Sequence, residues 1–121
     1  MIPHYKNIHN RFKINDFHFD KEALYQLAYT LIKEGKDYEN DLGVFLLDWL
    51  DDKETIQLTT SGTTGAPKVI TIKKQSMVYS AIATGNFFSL HPQDKALLCL
   101  PARYIAGKMM IVRAMMLGLE L

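Results

Sequence analysis

Residues 58–70 read Leu-Thr-Thr-Ser-Gly-Thr-Thr-Gly-Ala-Pro-Lys-Val-Ile, and the spacing inside this stretch decides how the rest of the chain is read. Thr59 to Gly65 place five Ser/Thr hydroxyls and two glycines in seven positions, with Pro67 and Lys68 close behind. Glycines at 62 and 65 permit the positive-φ backbone that turns successive N–H groups toward one point, the geometry of an anion nest. Thr59, Thr60, Ser61, Thr63 and Thr64 add hydroxyl donors, Pro67 stiffens the exit, and Lys68 brings a positive charge. These are the parts of a phosphate cradle, and a strand running into it would fix its base.

Two common phosphate loops are excluded by particular residues. The nucleoside-triphosphatase loop requires G-x-x-x-x-G-K-[ST], but Pro67 stands where its last glycine must be and Val69 where its magnesium-binding hydroxyl belongs. The dinucleotide pattern G-x-G-x-x-G is absent.

Working outward, "TIQLT" before the loop is a short strand rich in β-branched residues, and "KVITIKK" after it alternates with the period of a half-buried strand. Upstream, "RFKI" is a short strand. Asp20 is placed to N-cap a helix whose Leu24, Leu27, Ala28, Leu31 and Ile32 form one stripe before Gly35. Tyr38 to Leu50 form a second helix, with Leu42, Phe45, Leu46, Trp49 and Leu50 at helical spacing and an acidic stop at Asp51-Asp52. Downstream, "QSMVYSAIATGNFFSL" predicts a helix, "ALLCLP" a buried strand, and "AGKMMIVRAMML" a nearly all-apolar helix that Gly118 ends. "GLEL" begins a further strand. This is an α/β pattern with an incomplete sheet and flanking helices, in one partial domain. Residues 1–54 form a shortened helical lead, and 55–121 hold the loop and the strand–helix units after it. The expectation is a piece of a longer protein.

Composition bounds the remaining possibilities. The 121 residues are 48% hydrophobic and 22% charged, with 14 Lys+Arg against 13 Asp+Glu. That balance gives no electrostatic footprint for nucleic acid or an anionic membrane. Cys99 has no partner for an internal disulfide, and His4, His9, His18 and His91 lack metal-ligand spacing, so no metal is expected on this chain. The N-terminus has no apolar export region, and Arg113 interrupts the longest apolar block. A cytoplasmic protein is expected, and an uncovered apolar face on the last helix would favour homo-oligomers.

Thr60 to Lys68 closely resemble the T-S-G-T-T-G-x-P-K-G loop of the adenylate-forming enzymes, the superfamily of acyl- and aryl-CoA synthetases, firefly luciferase and peptide-synthetase adenylation domains. Val69 is the one departure. Pro101, Tyr104 and Gly107 fit the P-x-x-[aromatic or His]-x-x-G turn that borders the acyl pocket in that family. The resemblance implies an enzyme that joins a carboxylate to ATP with magnesium, releases pyrophosphate and passes the acyl group to CoA. Thr60, Ser61, Gly62, Thr63, Thr64, Gly65 and Lys68 would then hold the ATP phosphates. Tyr104, Gly107, Lys108 and Arg103 would border the acid.

The family's adenine-contacting segment with its magnesium-binding Glu, its ribose-binding Asp and its catalytic Lys have no counterpart here. The chain alone is therefore expected to be inactive. The short lead before the loop is most similar to o-succinylbenzoate–CoA ligases of menaquinone biosynthesis. Lys108 supports an acid with a second carboxylate, since a cation in the first turn of a helix is disfavoured by the dipole unless something offsets it. A non-catalytic nucleotide-binding or interaction module that retains the phosphate loop is the alternative. A kinase is disfavoured because no acidic magnesium ligands stand near the loop.

Overall fold

The computed structural model describes residues 2–60, 66, 68–98, 102 and 104–121, with backbone alone at 59 and 60. Its elements run β1 (Lys13–Ile14), β2 (Phe17–His18), α1 (Lys21–Glu34), α2 (Asp37–Leu50), β3 (Thr55–Thr60), β4 (Lys68–Lys73), α3 (Lys74–Phe87) and α4 (Ile105–Leu117). Asn15 and Asp16 both take positive φ, as a two-residue turn of the β1–β2 hairpin demands.

Asp20 caps α1 as its sequence implies: its carboxylate accepts the Ala23 N–H at 2.8 Å. The helix ends where the Gly35 N–H returns to the Leu31 carbonyl. Leu24 and Ala28 are fully buried, whereas Ile32 at the end of the expected stripe stays exposed. In α2 the Glu39 carboxylate accepts the Lys36 N–H at 3.1 Å, satisfying one of the donors left open at a helix start. Phe45, Leu46, Trp49 and Leu50 are buried. The helices pack closely at Gly43, where a Cβ would lie 2.7 Å from the Ala28 carbonyl oxygen.

β3 and β4 form an antiparallel hairpin with register Thr55↔Lys73 through Thr60↔Lys68. Ile56 and Leu58 of β3 enter the core formed with Met77, Val78 and Ala81 of α3 and Ile111, Val112 and Met115 of α4. Helix α4 ends at Gly118, whose φ of 76° is left-handed and whose Cα lies against the His9 ring, leaving no room for a Cβ.

Beyond Gly118 the chain runs extended between two segments. Lys13 N–H donates to the Leu119 carbonyl, Leu121 N–H to the Lys13 carbonyl, Glu120 N–H to the Asp94 carbonyl and Ala96 N–H to the Glu120 carbonyl. Both bridges at Glu120, to Lys13 and to Lys95, are parallel. The expected strand at "GLEL" is therefore the centre of a small parallel arrangement, beside the two antiparallel hairpins.

Three expectations are corrected. "ALLCLP" is not a buried strand over its described part: pairing stops after Ala96, and Leu97 is 77% exposed, while Cys99 to Pro101 lie outside the described residues. Among the described residues β4 pairs with β3 alone and is mostly exposed rather than half-buried, with Ile72 half-buried and Val69 and Ile70 open to solvent. The apolar face of α4 is open only in part: Ile111, Val112, Met115 and Met116 are buried by the chain's own core, whereas Met109 and Met110 are half-buried and Ile105 is exposed.

Candidate functional site

The hairpin determines where the motif begins and ends. Since Thr60 pairs with Lys68, the residues between them join two adjacent strand ends, with Lys68 exposed as the first residue of β4. Ala66, inside the connection, is exposed. Ser61, Gly62, Thr63, Thr64, Gly65 and Pro67 lie outside the described residues, as do Pro101 and Arg103.

The second group of predicted residues sits at the start of α4. Tyr104 is the extended N-cap residue and is 42% exposed, Gly107 is buried in the first turn, and Lys108 is half-buried with its N–H bonded to the Tyr104 carbonyl at 3.0 Å. Burial pulls the Lys108 ammonium below the ordinary lysine value, and the charges of Asp48 and Asp41 on α2 act against that pull. Lys108 therefore already has carboxylates to offset its unfavourable position on the helix dipole.

The end of α2 carries further charge. Burial raises the Asp48 carboxyl above its ordinary value, reinforced by Asp51 and opposed by Lys108, Lys74 and Lys53. At Asp51 burial also acts upward, but hydrogen bonds from the Lys74 ammonium and the Lys53 N–H outweigh it and hold the group below its ordinary value. Asp48, Asp51, Lys53, Thr55 and Gln57 line a hollow of about 340 Å³ at the root of the hairpin.

On the other side of α4, Ile105, Ala106, Met109 and Arg113 share a mostly apolar hollow of about 220 Å³ with Leu97 and Leu98. Sequence reasoning did not single out Ile105 or Ala106, and took Met109 and Met110 for core or an interface rather than a site. Their spacing along one helix face was the available signal. Among the described residues no His, Cys, Asp and Glu cluster could hold a metal ion, and no helix is long and apolar enough to cross a membrane.

This arrangement of helical lead, strand pair and closing helix has counterparts. A family profile described as AMP-binding enzyme matches residues 29–121, and the chain belongs to that family. A solved structure similar to it is the acyl-CoA synthetase (AMP-forming)/AMP-acid ligase II-like protein from Dyadobacter fermentans DSM 18053, at 39% identity and a TM-score of 0.66. The match covers 78% of this chain and 27% of that one, so the chain spans about a quarter of the length of that protein. No curated protein matches the chain.

Proposed function

We propose that this chain supplies the phosphate-binding segment of an AMP-forming carboxylate–CoA ligase, which adenylates an acid with ATP and magnesium and transfers the acyl group to CoA. The observation that carries the proposal is the pairing of Thr60 with Lys68, which gives the Ser/Thr/Gly-rich motif a two-stranded base and puts a lysine at its exit. Thr60, Ser61, Gly62, Thr63, Thr64, Gly65 and Lys68 hold the β- and γ-phosphates. Donors fixed around a leaving pyrophosphate stabilise charge as it develops, each typically worth about 3 kcal/mol of barrier. Tyr104, Gly107, Lys108 and Arg103 border the acid, which we take to be o-succinylbenzoate. The setting is cytoplasmic menaquinone synthesis.

ATP–pyrophosphate exchange tests the reading. A full-length protein carrying this segment should exchange label with o-succinylbenzoate present, whereas residues 1–121 alone should not. Lys108→Ala in the full-length protein should raise the KM for the dicarboxylate about tenfold or more, with KM for ATP little changed. Pyrophosphate binding by the full-length protein with no exchange against a panel of acids would favour a non-catalytic module instead.

A further inference from the structure

Lys74 is the buried charged residue among those described, at 0% exposure. Its position is unusual for a lysine, which normally keeps its ammonium in water. Here Nζ donates to the Trp49 carbonyl at 3.0 Å, to Asp51 Oδ1 at 2.7 Å and to the Asp51 carbonyl at 3.4 Å, and it lies 5.6 Å from the centre of the Tyr5 ring. The three donors of the ammonium are thereby matched to three oxygens at the end of α2. The Lys74 N–H bonds the Glu54 carbonyl at 2.9 Å, and Lys73 beside it closes the register at Thr55. One residue thus joins the end of α2 to the root of the hairpin. Tyr25 steadies the same helix end from α1 through its hydroxyl bond to the Leu50 carbonyl.

We propose that Lys74 is a positioning residue for the phosphate loop: its buried ammonium locks the root of β3–β4 to the end of α2 and so sets where the strand ends at Thr60 and Lys68 lie. The inference rests on the phosphate-binding reading of that loop. Stability alone does not call for the charge, because an apolar side chain of similar length in a buried ion-pair site is often as stable or more so. Geometry does call for it. β4 is mostly exposed, and a two-stranded hairpin is only marginally stable by itself. Six residues of strand make a lever of about 20 Å, on which a tilt of roughly 3° at the root moves the tip by about 1 Å. A displacement of about 1 Å in a reacting or binding constellation is enough to cost on the order of a hundredfold.

The test uses inorganic pyrophosphate as the probe, with Lys74→Met, Asp51→Asn and the core variant Leu119→Ala compared at a temperature where all are folded. Lys74→Met should bind pyrophosphate at least tenfold more weakly than the unmodified chain. Leu119→Ala, which loses stability in the core without touching the Lys74–Asp51 pair, should bind it as the unmodified chain does. If Lys74→Met fails to fold, Asp51→Asn gives the readout, with a fall in affinity of about threefold or more, since it keeps the carbonyl bonds and loses the ion pair. Equal affinity in the lysine variant, or in Asp51→Asn where only that variant folds, overturns the positioning role and leaves the loop reading intact. Failure of the unmodified chain to bind pyrophosphate overturns the loop reading and this inference with it.

Discussion

Asp48 and Asp51 share the last stretch of α2 and respond to it in opposite ways. The folded chain raises Asp48 above its ordinary value, so ionised Asp48 opposes folding at neutral pH, and stability is recovered as pH falls through the raised value. Asp51 is held below its ordinary value of about 3.9, so its contribution is present above that pH and is lost as pH falls through the depressed value. Asp48→Asn should raise the urea midpoint at pH 7, because the net effect on Asp48 already includes its attraction to Lys108. Asp51→Asn should lower that midpoint and flatten the loss of stability as pH falls below the ordinary carboxylate value. Equal responses of the two variants would refute this account. At this scale the sequence was informative where a residue's chemistry is local: Asp20 was readable as the N-cap of α1 from its type and place, while the glycine spacing, Pro67 and Lys68 carry the proposed phosphate loop. Lys74 was not legible. In "KVITIKK" it reads as the polar side of a strand, and only the arrival of α2 carbonyls from twenty-odd residues upstream makes it a buried clamp.

The helices were legible because period and caps agree. Asp20 starts α1 through its carboxylate and Gly118 ends α4 in the left-handed conformation glycine takes readily, while Gly35 and Asp51 close α1 and α2 through backbone N–H bonds. "ALLCLP" misled because a short apolar run states only that something could cover it, and its described residues Leu97 and Leu98 border a hollow instead. The strand character of "KVITIKK" was readable, but its exposure was not, since alternation does not say whether a sheet has neighbours on its outer edge. The closeness of α1 and α2 leads to a prediction that opposes local propensity. Alanine favours a helix interior over glycine by about 1 kcal/mol. At Gly43, however, the new Cβ would meet the Ala28 carbonyl oxygen at 2.7 Å and Ile32 Cγ1 at 2.9 Å, and the backbone atom cannot turn aside. Overpacking of this kind costs about 1–3 kcal/mol. Gly43→Ala should therefore lower Tm by several degrees, and a rise in Tm would show that the helices separate easily.

For the molecule as a whole, the segment 119–121 ties the lead before α1 to the stretch after α3. Leu119 is 2% exposed, and Leu119→Ala should cost about 2–5 kcal/mol in urea unfolding. Hydrogen exchange should show the Lys13 and Ala96 amides losing protection together in that variant, because both hang on the same extended residues. Independent exchange of the two would separate the segments that the pairing joins. The parallel bridges also set an order of events during synthesis. Helices α1 and α2 contact each other locally and can pair as soon as both have emerged, but the backbone groups of Lys13 have no partner until Leu119 is made. At ordinary elongation rates that wait is on the order of ten seconds. For that interval Lys13 and its neighbours are an unpaired strand edge on a nascent chain, a surface for chaperones to shield and a place where slowed translation would first lead to misassembly.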